Sequence, residues 1–350
     1  MGGSFDPVKA REKQKIVNAK QVNLKDFSSA LVILPYSVED FILCSPAITA
    51  LKEAMPAGGK ITAVVNDSCG GFVRGLKSID TAINLNPANP LSVLNAALSM
   101  MKAKFQLVVN FNPAVLPAVL AAFFTKAKAK VAYSERNEKS FYNSLHNLLL
   151  HSLDHPQHKI IKYLNLTRFI GANTYDFNPK LAIPDEDRDF AKKFLEKNNI
   201  SPSENLIGIH PSINDKKKRW AMSKFQQLTS NLIEKYNCRV LVFSNRDEQE
   251  RLKEYMVVTK KKAVHVDTSD YLKMAAVSRF LCCFVTNESD LMHIFAPFTN
   301  IVAIWGPGDP EENKPSGSNN EIILPSDGNV DSVPVSRVTE AVKNFISSGN

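Results

Sequence analysis

Short apolar runs alternate with stretches in which apolar residues recur every three or four positions, from about residue 27 to the end of the chain. In the first half the runs LVIL (31–34), ITAVV (61–65), FQLVV (105–109) and KVAY (130–133) predict buried strands. Phe41–Ala54 and His158–Ile170 carry the spacing of amphipathic helices. In the second half LIGIH (206–210), RVLVF (239–243), AVHV (263–266), LCCFV (281–285) and IVAIW (301–305) are the strands. Helical stretches at 222–235, 247–257, 270–278 and 290–298 lie between them, and Val333–Ile346 closes the chain. Strands that alternate with helices need crossover connections, so both halves read as α/β domains with mainly parallel, doubly wound sheets.

The expected division is a basic tail or peripheral helix over 1–26, a first domain over 27–182, a second over 188–332 and a closing helix in 333–350. NPKLAIPDED, with two prolines and an acidic run, forms the joint at 178–187. Ligands of open α/β sheets bind at the carboxyl ends of the strands. Two such domains facing one another would place that chemistry in a cleft between them.

Composition narrows the function classes. A chain of 350 residues with 44% hydrophobic and 22% charged residues has an ordinary globular balance. The longest apolar run, Ala114–Phe124, is interrupted by Pro117 and is too short for a bilayer span of about 20 residues. The polar N-terminus has no apolar core of a secretory signal. A soluble, cytoplasmic chain is expected. The five cysteines, Cys44, Cys69, Cys238, Cys282 and Cys283, contain no C-x-x-C pair, which argues against a zinc ribbon or a disulfide framework. The net charge of +8 admits an anionic partner: nucleic acid, a phospholipid surface or a phosphorylated substrate. Lysines gather at Lys126, Lys128 and Lys130, at Lys216–Arg219 and at Lys260–Lys262, and only 14 glycines are present.

Four segments could carry chemistry. S-V-E-D, Ser37–Asp40, follows the first strand and opens a helix, so Asp40 is either a general base at the strand end or a helix cap. G-I-H-P-S-I-N-D-K-K-K-R-W, Gly208–Trp220, delivers Lys218 and Arg219 on a loop at a strand's carboxyl end, where a diphosphate would sit. A solvated charge run with Trp220 in the core is the alternative. V-T-N-E-S-D-L-M-H, Val285–His293, leads from a strand into a helix whose first N–H groups Ser289 and Asp290 can themselves occupy. I-V-A-I-W-G-P-G-D-P, Ile301–Pro310, ends a strand in a turn where Gly306 can lie close against a ligand. His146, His151, His155 and His158 share no ligand spacing with a carboxylate or thiolate, so no metal is expected.

In their order and spacing these four segments resemble glycosyltransferase family nine, the ADP-heptose:lipopolysaccharide heptosyltransferases, over roughly residues 29–347. H-P-Q-H-K-I-I-K-Y-L-N-L-T-R-F-I-G-A (155–172) resembles the family's segment before the interdomain linker. The resemblance implies the GT-B architecture, two Rossmann-like domains, with the first on the acceptor side and the second holding the nucleotide sugar. It implies an inverting transfer of a heptose-like sugar from a nucleotide diphosphate, without metal or other cofactor, onto a lipopolysaccharide-core or other surface glycan acceptor. Asp40 matches the expected base, Lys218 the lysine that neutralises the leaving diphosphate, and Glu288 the acidic residue near the ribose or sugar. Met292 and His293 match the family's M-H pair. The donor site so implied comprises Ser212, Lys218, Arg219, Glu288, Ser289, His293 and Gly306. The basic surface also fits peripheral docking on the anionic inner face of a membrane, and the basic clusters lack the aromatic-basic motif of a nucleic-acid binder, so no nucleic acid partner is expected. Glu39, Ser212 and Asp290 stand where the family pattern has glycine. The alternative they raise is a non-catalytic member that acts as a binding or scaffold protein.

Overall fold

A computed structural model of the protein describes residues 19, 22–112, 116–134, 141–151, 156–201, 203–244, 248–259, 263–317 and 319–346. The lysine run 260–262, His155 and the expected tail or helix up to residue 18 lie outside the described residues. The chain divides into two compact units, Met1–Lys180 and Leu181–Asn350.

The first unit carries β1 (Ser29–Ile33), β2 (Lys60–Val65), β3 (Thr81–Asn84), β4 (Leu107–Asn110), β5 (Ala129–Tyr133) and β6 (Leu148–Leu150). Its helices are α1 (Val38–Ala54), α2 (Pro90–Lys102), α3 (Leu116–Phe123) and α4 (Lys159–Arg168), besides shorter turns. The strands form one parallel sheet in the order β3-β2-β1-β4-β5-β6. The second unit carries β7 (Leu206–His210), β8 (Arg239–Val242), β9 (Val264–His265), β10 (Cys283–Asn287), β11 (Asn300–Ile304) and β12 (Asn320–Ile323). Its helices are α5 (Asp185–Lys197), α6 (Met222–Tyr236), α7 (Gln249–Val258), α8 (Tyr271–Ser278), α9 (Asp290–Phe295) and α10 (Val335–Lys343). Its sheet, β12-β11-β10-β7-β8-β9, is also parallel throughout. Counted from its own first strand, each unit has the Rossmann order 3-2-1-4-5-6, and the order reverses beside β1 and beside β7.

The interior strands are the apolar runs read from sequence, because a parallel strand with helices on both faces is buried on both. The strands that sequence did not predict are all sheet edges: β3 (TAIN) and β12 (NEII) mix polar and apolar positions, and β6 (LLL) is only three residues long. A Cβ on Gly208, in β7, would fall 2.5 Å from Leu281 Cδ1 and 2.8 Å from Phe284 Cδ2. The bare backbone there lets Phe243, Phe284 and Phe295 meet edge to face at 4.6–5.6 Å. Trp220 is fully buried in the second core, and its indole N–H donates to Val333 O at 2.9 Å. The core alternative for Trp220 therefore holds.

α1 continues past Pro46, which lies inside it. Proline cannot donate to the carbonyl four residues back, and the Ser45 hydroxyl donates to that carbonyl, Ile42 O, at 2.6 Å instead. The five cysteines are free thiols, with Cys282 half-buried and the others buried. No helix among the described residues is long and apolar enough to cross a membrane.

Candidate active site

In the first unit the chain leaves β1 and enters α1 through Ser37. This residue caps the helix, its Oγ accepting from Asp40 N at 3.0 Å and its hydroxyl donating to Asp40 Oδ2 at 2.8 Å. The pair makes a reciprocal contact at the helix start, one bond to the backbone and one between side chains. It occupies one carboxylate oxygen of Asp40 and orients the other, Oδ1, which lies 3.2 Å from Lys159 Nζ. Lys159 is the first residue of α4 and also forms an ion pair with Glu39. Burial opposes the Lys159 charge, but the Glu39 hydrogen bond and the two carboxylates outweigh it and hold the ammonium above the ordinary lysine range. A quarter of the Asp40 side chain remains exposed, although Oδ1 itself is buried.

Tyr163, one turn beyond Lys159 on α4, is buried and stands edge-on to Phe111 at 6.1 Å. Burial, and then the charges of Asp40, Cys44 and Glu39, push its phenol far above the usual range. It remains a neutral hydrogen-bonding group at neutral pH. At the carboxyl end of β4, Asn110 Nδ2 donates to Tyr142 Oη at 3.0 Å and approaches His146 Nε2 at 3.4 Å. His146 Nδ1 lies 3.0 Å from Tyr142 O. An amide donor on one ring nitrogen and a carbonyl on the other fit the neutral imidazole with its proton on Nδ1. Burial pulls His146 down to about 4, and the Lys130 charge acts in the same direction against the carbonyl. His151 Nδ1 meets Ser134 Oγ at 2.8 Å, and His158 caps α4 by accepting from Ile160 N at 3.2 Å. Each of these three histidines thus has a structural partner.

In the second unit the loop after β7 is wrapped by cations. Asp215 accepts from Lys217 N at 2.9 Å and caps the short turn Lys216–Lys218. Arg219 Nε donates to Ile213 O at 2.8 Å, and Arg251 Nη1, from α7, donates to the same carbonyl at 3.0 Å. Arg251 also reaches Ser212 Oγ at 3.2 Å. Burial, then the neighbouring Arg251 charge, pulls Arg219 below the ordinary arginine value. Two guanidiniums are therefore held together around one neutral carbonyl, with Lys218 next in the chain. Lys218 Nζ donates to Glu288 Oε1 at 2.5 Å. A Cβ on Gly306 would lie 3.0 Å from Lys218 Cα. Gly306 is thus the place where the loop after β11 presses against the Lys218 backbone.

The first turn of α9 departs from the sequence expectation. Ser289 makes no capping hydrogen bond. Its Oγ lies 2.9 Å from Thr286 Oγ1 and 3.3 Å from His210 Nδ1 instead. The buried His210 meets the equally buried Glu248 across 2.8 Å through Nε2. The competing polar partners at the end of β7 draw the serine away from the helix. Asp290 is the first helical residue and is half-buried, while His293 is buried among Leu291, Met292, Ile294 and Phe295. Three polar atoms at the ends of β10 and β11 are buried without a hydrogen-bond partner: Asn287 Nδ2, Glu288 Oε2 and Trp305 Nε1. Buried polar groups are rarely left in that state without a role.

Within the first unit the fold brings Asp40, Glu39 and Lys159 together. Within the second it brings together Ser212, Lys218, Arg219, Glu288, Gly306 and Arg251. Sequence reasoning missed Lys159, Glu248 and Arg251. The signal for the last two is R-D-E-Q-E-R (246–251), a charged run directly after the apolar strand RVLVF. It has the same placement as the lysine run after β7.

The family model described as glycosyltransferase family 9 (heptosyltransferase) matches residues 95–336. No curated protein sequence matches the chain. A glycosyltransferase family 9 structure from Veillonella parvula shares 18% identity and superposes with a TM-score of 0.80, covering 91% of this chain and 96% of that one. The E. coli ADP-heptose lps heptosyltransferase II shares 17% identity with a TM-score of 0.75, over 91% and 98% of the two chains. The E. coli heptosyltransferase WaaC with ADP shares 16% identity with a TM-score of 0.72, over 91% and 100%. At such identities the likeness shows the fold, and that fold is GT-B, as the sequence motifs imply.

Proposed function

We propose, from the premise that the chain belongs to glycosyltransferase family 9, the heptosyltransferases, that it transfers a heptose-like sugar from a nucleotide-diphosphate donor to a lipopolysaccharide-core or other surface glycan acceptor. The observation that carries this reading is the cationic loop at the carboxyl end of β7. Arg219 and Arg251 converge on Ile213 O, with Lys218 alongside. Like charges gathered at a Rossmann switch point suit an anion of two or more charges. The orphaned Asn287 Nδ2, Glu288 Oε2 and Trp305 Nε1 offer further polar contacts for the same ligand.

The chemistry needs a base, a leaving-group stabiliser and no covalent intermediate. Asp40 takes the proton of the acceptor hydroxyl, and the oxygen attacks the anomeric carbon. The bond from that carbon to the diphosphate oxygen breaks, inverting the centre. Lys218, released from Glu288, and Arg219 balance the charge that grows on the leaving diphosphate. Such positioned charge is the largest single contribution in many enzymes. Glu288 then faces the sugar or ribose hydroxyls, with Ser212, Ser289, His293 and Gly306 shaping the surroundings. This transfer requires no metal, and a lipid-linked acceptor would draw the enzyme to a membrane surface.

The test is release of nucleoside diphosphate from a panel of ADP-, UDP- and GDP-sugars in the presence of a lipopolysaccharide-core acceptor. Acceptor-dependent release that disappears in Asp40→Asn, with an unchanged melting temperature, supports the reading. Equal release by the variant removes Asp40 as the base.

A further inference from the structure

Of the ten exposed large hydrophobic residues among those described, five belong to one helix pair, α2 with the end of α3. Leu91, Leu94, Leu98 and Met101 are between 45% and 63% exposed. Their steps of three, four and three residues place them in a single stripe along α2. The opposite face buries Ala96 and Met100, so the helix is already seated on its own unit and the stripe is an additional apolar face. Phe124, 57% exposed, stands at the end of the adjoining α3. A helix of this length presents about 20 Å of stripe. Contiguous exposed apolar surface of this kind marks an interaction site more often than chance.

The charges around the stripe say what covers it. Lys102 ends α2 and Lys104 follows it, Lys126 and Lys128 follow α3, and all four are exposed. The two loops are neighbours, because Lys128 N donates to Gln106 O at 2.9 Å. From Thr81 to Ser134 the sequence contains no aspartate or glutamate. A second copy of the chain placed on this face would set lysine against lysine with no acidic partner in the segment, an arrangement that charge complementarity disfavours. A face with an apolar stripe and an unopposed cationic border matches the interfacial region of an anionic bilayer, where apolar side chains enter the acyl boundary and lysines meet the headgroups.

We propose that the exposed face of α2, with Phe124 and the lysines 102, 104, 126 and 128, docks the first unit onto an anionic lipid surface. This deepens the functional reading above by naming the surface from which a lipid-linked acceptor is presented. The docking itself does not depend on transfer. α2 begins just after β3, at the carboxyl edge of the sheet that also carries Asp40, so the stripe starts at the edge where acceptor chemistry is placed.

The experiment is co-sedimentation of the full chain with vesicles of phosphatidylcholine alone or mixed with phosphatidylglycerol. The wild type is expected to partition onto the anionic vesicles and to be released by salt. Leu94→Glu/Leu98→Glu should lower partitioning at least tenfold while melting temperature and nucleoside diphosphate release with a soluble acceptor stay unchanged. Each lysine near an anionic leaflet is worth about fivefold, so Lys102→Glu/Lys104→Glu should lower it by at least about 25-fold. Wild type that ignores anionic vesicles, or equal partitioning by the leucine variant, overturns the proposal. A concentration-dependent dimer that the leucine variant abolishes also overturns it, in favour of a second copy. Asp40→Asn separates the two readings, since it should abolish transfer and leave vesicle binding intact.

Discussion

Lys218 and Glu288 are joined by a hydrogen bond of 2.5 Å between Nζ and Oε1, linking the loop after β7 to the loop after β10. The lysine that would neutralise a diphosphate is thus already neutralised by a carboxylate of the same site, whose second oxygen is buried without a partner. Ligand binding has to break this pair or insert beside it. Glu288→Gln leaves Lys218 unpaired and should tighten inorganic pyrophosphate several-fold, about 1 kcal/mol for a partly exposed pair. Titration calorimetry reads this directly, and an unchanged affinity would show that the pair does not restrain the lysine.

Lys159 holds Glu39 and Asp40, two adjacent carboxylates at the start of α1. Without it they would repel each other, and Asp40 would lose the contact that fixes Oδ1. Lys159→Met should lower kcat about tenfold or more, with little change in the donor KM. Lys159→Arg should recover most of the rate. A variant that raises only the donor KM would show that Lys159 serves binding and not the base.

Gly306 touches the Lys218 backbone. A methyl group there meets Lys218 Cα at 3.0 Å, so Gly306→Ala must shift the turn that carries Lys218. A loss of about 1–3 kcal/mol in stability is expected, together with weaker nucleotide binding. Chemical denaturation and calorimetry on one sample test both. Full stability with full affinity would mean that the contact yields without cost.

His146 ties stability to pH. In the unfolded chain it takes up a proton near 6.5, whereas burial holds the folded group down at about 4. Between these values the unfolded state binds more protons, so stability is fully present above about 6.5 and falls as pH drops toward 4. The difference amounts to roughly 3 kcal/mol. Urea midpoints measured from pH 7 to 4.5 should fall more steeply for wild type than for His146→Gln. Parallel slopes would remove His146 as the cause.

What sequence revealed followed from burial. The interior strands β1, β2, β4, β5, β7, β8, β10 and β11 carry mainly apolar runs because both faces are covered. The edges β3 and β12 mix polar with apolar residues, and β6, though apolar, is only three residues long, so all three went unseen. Asp40 and Lys218 are candidates from motif order alone. The partners Lys159, Glu248 and Arg251 are not, because each reaches its neighbour across the fold from a different element. Two of the three non-glycine positions, Glu39 and Ser212, look like losses in sequence. In the structure each meets a cation, Lys159 and Arg251 respectively. Ser289 was expected to cap α9, and Thr286 and His210 hold it elsewhere.

The central claim is that the second unit binds a nucleotide diphosphate through the loop after β7. Calorimetric titration of the full chain with ADP, UDP and GDP tests it most directly. Micromolar binding of one nucleotide is expected, weakened about tenfold or more by Lys218→Ala and by Arg251→Ala. A cooperatively folded protein that binds none of the three at millimolar concentration would contradict it.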